Sequence, residues 1–259
     1  MKIVVLVKQT PDTAKLSKRM DGLQLSADGG PRIVNPWDEY AIEAGLVLAE
    51  KNKGSKVTAL CLGKPEATEA LKRAIAMGAN DAVLISDSVL AQADSLVTAK
   101  VLAAAIKKIG EVDLVLAGRS SIDGNNAATA VQIAALLDMS MLSYVASIEA
   151  VEEGSITAVR AVEAGRETVS DNLPAVISVV REINEPRYPS FMKIRKATKA
   201  KIPIWGVADL GLSDGDVVPQ VLWEMALPPS RNAKIDLING TPVEAAKLLA
   251  DKLMSEKVI

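Results

Sequence analysis

The sequence predicts an α/β fold: a doubly wound, mostly parallel sheet with added antiparallel strands and an extended C-terminal arm. Three observations predict it. Apolar, β-rich runs at residues 2–7, 56–62, 82–85 and 113–117 alternate with segments of helical period, and strands separated by helices pair in parallel through right-handed crossovers. From residue 141 the runs are short and β-branched, with turns but no helices between them, the pattern of antiparallel strands. Across residues 202–231 no period holds, and Trp205, Trp223 and the pair Pro228 and Pro229 suit an extended arm lying on a partner. The expected division is an α/β domain over residues 1–183 and a docking loop, arm and final helix over 184–259.

In chain order, the first strand (2–7) stops at Lys8-Gln9-Thr10-Pro11, because Pro11 cannot continue a ladder. Residues 16–32 are polar and Gly-rich, a surface hairpin or excursion. Asn35 as cap and Pro36 at the first helical position open a helix that Gly54 ends. Its apolar side holds Ala41, Ile42, Gly45, Leu46, Leu48 and Ala49. The strand at 56–62 leads through Gly63-Lys64-Pro65 into a helix over 66–77 closed by Gly78. After the strand at 82–85, Ala93-Asp94-Ser95 opens a helix from about 95 to 106. Residues 147–151, 155–162, 167–169 and 175–180 read as antiparallel strands, and Thr241 with Pro242 starts an amphipathic helix to about 254.

Composition excludes several chemistries. A chain of 259 residues that is 49% hydrophobic can bury a large core. The absence of histidine removes the commonest general base and metal ligand, and with them Ser/His/Asp hydrolysis and typical zinc sites. The single cysteine, Cys61, forms no internal disulfide, in keeping with a reducing, cytoplasmic setting. No apolar run is long enough to span a bilayer. A net charge of −2 argues against general nucleic-acid binding.

The most informative stretch is residues 113–135, DLVLAGRSSIDGNNAATAVQIAA: a buried-type strand, a loop of Gly, Ser, Asp and Asn, then small apolar residues at helical spacing. Asn125, Asn126 or Thr129 is placed to cap that helix. A helix start after a parallel strand presents backbone N–H groups and a positive dipole end to a phosphate. The alternative is an ordinary strand-to-helix turn. The loops after the other strands converge on the same crevice. Neither G-x-G-x-x-G nor G-x-x-x-x-G-K-[ST] occurs, so neither a dehydrogenase-type pyrophosphate loop nor a P-loop is supported.

Residues 181–201, REINEPRYPSFMKIRKATKAK, form a second informative stretch. One reading is a solvated basic helix. The other is a docking segment, with Phe191 and Met192 as apolar anchor beside Lys193, Arg195 and Lys196 facing an acidic partner. Phe191, the only phenylalanine, favours docking.

Four blocks, GRSSIDGNNAATAVQIAALLD, NPWDEYAIEAGLVL, RAIAMGAND and LPAVISVVREINEPRYPSFMKIRKATK, resemble the β subunit of electron transfer flavoproteins over residues 1–204. The resemblance implies a Rossmann-like, adenine-nucleotide-binding fold and a heterodimer whose α subunit holds the redox FAD. It also implies an adenine nucleotide on the β subunit: structural AMP in many members, a second FAD or NAD(H) in electron-bifurcating ones. Carried over, the nucleotide would contact Val7, Lys8, Gln9, Asn35, Cys61 and Gly63. Its phosphate would lie on Gly118, Asp123, Asn125, Asn126, Ala127, Ala128 and Thr129. Asp94 and Ser95 resemble the Asp-Thr pair near the diphosphate of bifurcating relatives. Ala128 and Ala130 replace the Gln and Gly frequent in the family's phosphate turn, and Ala161 replaces an acid that often follows the arginine at Arg160. AMP against FAD or NAD stays open. The family's docking loop maps onto residues 189–199, with its apolar anchor at Phe191.

The function implied is a non-catalytic electron carrier subunit. It would collect electrons from acyl-CoA dehydrogenases and pass them to a membrane-linked quinone oxidoreductase, leaving the hard chemistry to the flavin. Two alternatives are a bifurcating subunit binding FAD and NADH, and a stand-alone adenine-nucleotide-binding α/β protein.

Overall fold

A computed structural model of the chain describes residues 1–15, 20–21, 24–25, 30–221 and 235–259. In chain order its strands and helices are β1 (Lys2–Leu6), β2 (Gln9–Pro11), β3 (Met20–Asp21), β4 (Gln24–Leu25), β5 (Arg32–Val34), α1 (Pro36–Lys51), β6 (Lys56–Leu62), α2 (Thr68–Met77), β7 (Asp81–Ile85), α3 (Ser95–Ile109), β8 (Leu114–Gly118), α4 (Thr129–Leu137), β9 (Ser140–Glu152), β10 (Ser155–Val162), β11 (Gly165–Asn172), β12 (Ala175–Val179), α5 (Phe191–Thr198), β13 (Ile204–Trp205) and α6 (Pro242–Ser255). Among the described residues one large sheet has the order β11-β10-β9-β12-β8-β1-β6-β7-β13. Its middle is parallel: β1 pairs with β6 and β8, β6 with β7, and β12 with β8. The strands β9, β10 and β11 add an antiparallel meander at one end.

The sequence pattern explains the layering. Alternate residues of a strand face opposite sides, so Ile3 and Val5 pack with α1 and α2, while Val4 and Leu6 pack with α3 and α4. Both sides are dry. The strand β6 shows the same alternation: Cys61 lies in the first layer and Leu60 in the second. Crossover helices cover both faces of the parallel core, which is why its strands read as continuous apolar runs.

Two expectations are corrected. The segment at 175–180 was expected to be antiparallel, but β12 pairs in parallel with both β8 and β9. All five of its residues are buried, as in a central strand. A short β-branched run states its burial but not its direction. The arm at 202–231 was expected to lie on a partner, yet its described part lies on its own domain. There β13 pairs with β7, Val207 and Val217 are buried, and Lys108 sits over the Trp205 ring at 4.7 Å. Trp223, Pro228 and Pro229 fall outside the described residues, as does most of the Gly-rich excursion at 16–32. The chain divides into compact units at residues 1–224 and 225–259, because α5 packs on α2 and β13 on β7.

The second unit is described over 235–259. Its helix α6 opens with the capping box of Thr241 and Glu244, and none of the residues of α6 is buried. Among the described residues no helix is long and apolar enough to cross a membrane.

Candidate functional site

In an open parallel sheet, ligands bind outside the carboxyl ends of the strands where the connections switch direction. Here that point lies between β1 and β8, since the chain proceeds from β1 to β6 on one side and places β8 on the other. A cavity of about 390 Å³ opens there. Leu6, Leu60, Leu62, Leu90 and Leu102 supply apolar wall, while Lys8, Asn35, Arg119, Ser120 and Ser121 supply polar groups. Its size falls within the range of about 300–1,000 Å³ usual for small-molecule pockets.

Two buried polar side chains tie the rims of the cavity together. Asp38, in the first turn of α1, accepts hydrogen bonds from the Lys8 backbone N–H at 2.7 Å and from Asn35 Nδ2 at 2.9 Å. Asn35 Nδ2 also donates to the Ser120 carbonyl at 2.9 Å, and Asn35 Oδ1 accepts from the Ile122 N–H at 3.2 Å. The loop after β1 is thereby fastened to the loop after β8. Asn35 occupies the expected cap position of α1, but its side chain is consumed by this bridge and makes no cap hydrogen bond. Burial lifts the Asp38 carboxyl to about 7, against hydrogen bonds that favour its ionised form. Gly118 is required beside it: a Cβ there would stand 2.5 Å from Asp38 Oδ1 and 2.6 Å from the Trp37 backbone carbon.

The loop from Ser120 to α4 is shaped by its own short side chains. Asp123 Oδ1 accepts from the Gly124 N–H, Asn126 Oδ1 accepts from the Ala128 N–H, and the Ser121 carbonyl accepts from the Asn125 N–H. Asn125 and Ala127 take φ of 47° and 55°, left-handed conformations that cost an alanine free energy. Such strain concentrates at ligand-binding loops. Ala127 with positive φ is followed by right-handed Ala128, the alternation that makes successive N–H groups converge on an anion. The helix α4 then begins at Thr129 with no side-chain cap. Its first N–H groups, which have no carbonyl partner within a helix, are thus left without a capping side chain.

Two cations and one orphaned hydroxyl line the same cavity as that helix start. Lys8 Nζ bonds Asp123 at 2.8 Å and Ser121 Oγ at 3.3 Å. Burial opposes ionisation of Asp123, but the bonds from Lys8 and Ser121 hold it below the usual carboxylate range. The Arg119 guanidinium stacks on the Trp37 ring at 4.6 Å, and among the described residues no carboxylate neutralises it. Ser120 Oγ is buried without a hydrogen-bond partner. A buried hydroxyl in that condition costs free energy that a ligand oxygen would recover.

The start of α3, on the other wall, is built differently. Asp94 Oδ1 accepts from the Val97 N–H at 2.8 Å, and Oδ2 accepts from the N–H groups of Gln220 and Val221 at 2.7 and 3.0 Å. The Val97 bond, with those from Gln220 and Val221, keeps this carboxyl below its ordinary range although burial opposes it.

Of the expected nucleotide contacts, Val7, Lys8, Asn35, Asp94, Ser95, Gly118, Asn126, Ala127 and Thr129 line the cavity. Gln9, Cys61, Gly63, Asp123, Asn125 and Ala128 do not. The Gln9 amide bonds the Glu66 carbonyl, and a Cβ on Gly63 would approach Ala67 at 2.9 Å. Cys61 is fully buried on the opposite face of the sheet, and burial pushes its thiol up to about 12. Strict alternation along 56–62 separates Cys61 from Leu60 and Leu62, a signal present in the sequence. Asp38, Arg119, Ser120 and Ser121 are additional cavity residues. The GRSS run after a strand pointed to the last three; Asp38 was concealed as an ordinary first-turn acid.

Away from the cavity, α5 presents Phe191, Met192, Lys193, Arg195 and Lys196 to solvent, with Phe191 78% and Met192 72% exposed. Ser190 Oγ caps the helix from the Lys193 N–H, and buried Ala197 faces inward.

The sequence model of the electron transfer flavoprotein domain family matches residues 22–210. Among curated proteins, the chain is 38% identical to the caffeyl-CoA reductase–Etf complex subunit CarD of Acetobacterium woodii, over all of both chains. It is 36% identical to the electron transfer flavoprotein subunit beta of Thermoanaerobacterium thermosaccharolyticum, again over all of both chains. Protein FixA of Azorhizobium caulinodans is 32% identical over 99% of this chain and 95% of its own.

Proposed function

Because the chain belongs to the electron transfer flavoprotein family, as its beta subunit, we propose that it binds AMP in the cavity between β1 and β8 and serves as the non-catalytic half of an electron carrier. The observation that carries this reading is the contrast between two helix starts at one cavity. The start of α4 is uncapped and faces Arg119, Lys8 and the orphaned Ser120 hydroxyl, so it suits one phosphate group. The start of α3 is occupied by the Asp94 carboxylate, which disfavours a second phosphate. The leucine-lined wall suits the base, and the volume of about 390 Å³ suits a mononucleotide.

The family implies a flavin in the complex and an α-subunit partner. When bound, that FAD accepts and releases electrons; the residues described here hold a nucleotide and present a docking face. Phe191 and Met192 form its apolar anchor, and Lys193, Arg195 and Lys196 its basic rim, fitting an acidic-rimmed apolar recess on a flavin-dependent dehydrogenase. Acyl-CoA dehydrogenases are the proposed electron donors; the CarD relative is a subunit of a caffeyl-CoA reductase–Etf complex. A membrane-linked quinone oxidoreductase is the proposed acceptor.

One observation favours a second reading. The cavity continues past the α4 start to Asp94, Ser95 and Thr98, so a dinucleotide could extend along it, as FAD or NAD would in a bifurcating complex. Purifying the chain with its co-expressed partner, denaturing the complex and identifying the released nucleotides by mass separates the two. One FAD and one AMP per heterodimer are expected. Two FAD and no AMP would overturn the AMP reading in favour of the dinucleotide.

A further inference from the structure

The block Asn184-Glu185-Pro186-Arg187-Tyr188 stands out in the sequence, yet neither the cavity nor the anchor residues explain it. In the structure Asn184 and Arg187 turn toward the body of the domain, while Glu185 and Tyr188 are exposed. Arg187 donates through Nε and Nη2 to both oxygens of Glu43 and through Nη1 and Nη2 to Glu50, at 2.5–3.1 Å. Its backbone N–H also donates to Glu43 Oε2 at 3.1 Å, and Asn184 Nδ2 donates to the Tyr40 carbonyl at 3.0 Å. Glu43 is 6% exposed, so this is a partly buried, multiply bonded ion pair and not a loose surface contact. A guanidinium fork fixes orientation as well as distance, which a lysine ammonium cannot do.

The residues just after this fork are the most exposed apolar ones of the segment: Tyr188 at 90%, then Phe191 and Met192. An exposed anchor works only if its backbone is held, since ordering it on contact would subtract from affinity. At its far end the segment is held by Ala197, buried where α5 packs on α2. At its near end the Pro186 and Pro189 bonds limit the chain, Asn184 bonds the Tyr40 carbonyl of α1, and Arg187, next to the knob, adds the ion pairs to Glu43 and Glu50 of the same helix.

We infer that Arg187, clamped by Glu43 and Glu50, is a positioning residue for protein docking: it holds the Tyr188–Met192 knob in the orientation a redox partner receives. It touches neither the partner nor a cofactor. The inference rests on the docking assignment of Phe191 made above.

The test uses the assembled complex, with an acyl-CoA dehydrogenase reduced by butyryl-CoA as the electron donor, and compares Arg187→Ala, Phe191→Ala and the double variant. Each single variant is expected to raise the KM for the carrier about tenfold, as loss of an anchor does, with kcat and nucleotide content unchanged. The double variant is expected to match Phe191→Ala alone, because Arg187 acts through the knob. Arg187→Lys should restore little, and Glu50→Gln, which removes an exposed carboxylate and leaves the fold intact, should raise KM by a smaller factor. If Arg187→Ala does not assemble, the Glu50→Gln result decides. A wild-type KM for Arg187→Ala (or, in that case, Glu50→Gln) beside a defective Phe191→Ala would overturn the inference and leave the docking assignment standing. Wild-type KM values for both would remove the docking assignment and the inference with it. Additive effects in the double variant would show that Arg187 acts elsewhere and would likewise overturn it.

Discussion

The helices α3 and α4 start at the same cavity, follow parallel strands of the same sheet and differ in one feature. At α3 a side-chain carboxylate, Asp94, accepts the first-turn N–H and two more from residues 220 and 221. At α4 the cap position is Ala128 in a right-handed conformation; Asn126 takes its N–H, but the cap residue has no side chain to accept from the first turn of the helix. A capped helix start contributes about 1 kcal/mol of stability; an uncapped one forgoes that and leaves its donors and dipole to a ligand. The difference separates a terminus used for architecture from one available for binding. On the proposed AMP reading, the two walls have opposite preferences toward a phosphate.

The largest effect expected concerns acid titration. Asp38 titrates at about 7 in the folded chain against an ordinary value near 3.9, a difference of about 4 kcal/mol at 1.36 kcal/mol per unit. The folded state holds this proton more tightly than the unfolded chain. Its contribution to stability is therefore complete below pH ~4 and is lost as pH rises to about 7. Asp94, held below its ordinary range, acts in the opposite sense: its contribution is present above that range and lost as pH falls through the depressed value. Infrared difference spectra should show a protonated-carboxyl band that disappears near pH 7 and is missing in Asp38→Asn. A band gone by pH ~5 would mean the Asp38 site is far better solvated than its burial indicates.

Next comes an attempt to make α4 resemble α3. Ala128→Asp places a carboxylate at the uncapped start, and AMP affinity measured by calorimetry should fall about 100-fold, the size of a like-charge contact at intermediate dielectric. Unchanged affinity would show that the phosphate lies elsewhere. The reverse change is milder. Asp94→Asn keeps a capping oxygen but turns an amide toward the N–H groups of Gln220 and Val221, and should cost about 2 kcal/mol. It should also raise hydrogen exchange at 213–221 without weakening AMP. Smallest is Ser120→Ala, which removes a hydroxyl without a partner. Stability of the nucleotide-free chain should rise, by about 1 kcal/mol, while AMP affinity drops roughly fivefold, about 1 kcal/mol.

The parallel core was legible because strands buried on both faces leave continuous apolar runs, and the helix starts because Asn35-Pro36, Asp94-Ser95 and Thr241-Pro242 are local capping chemistry. What escaped was non-local. The direction of β12 is decided by its neighbours β8 and β9, far away in sequence. The occupation of Asn35 by a bridge to Ser120 and Ile122, 85 and 87 residues away, replaced the cap that its position suggested. The bonds that Asp94 receives from residues 220 and 221 cannot be seen in its own sequence surroundings. Within the site, backbone strain at Ala127 carries no signal in composition, since alanine is a residue for which positive φ is uncommon.

The place of β12 sets the order in which the molecule can be completed. Synthesis at roughly 5–20 residues per second delivers β8, then the 13-residue strand β9 and its meander, before β12 emerges to sit between them. Until then β8 and β9 each present an open row of N–H and C=O groups, the arrangement that recruits wrong partners. A nascent chain halted before residue 175 therefore lacks the strand that, in the finished protein, covers the facing borders of β8 and β9.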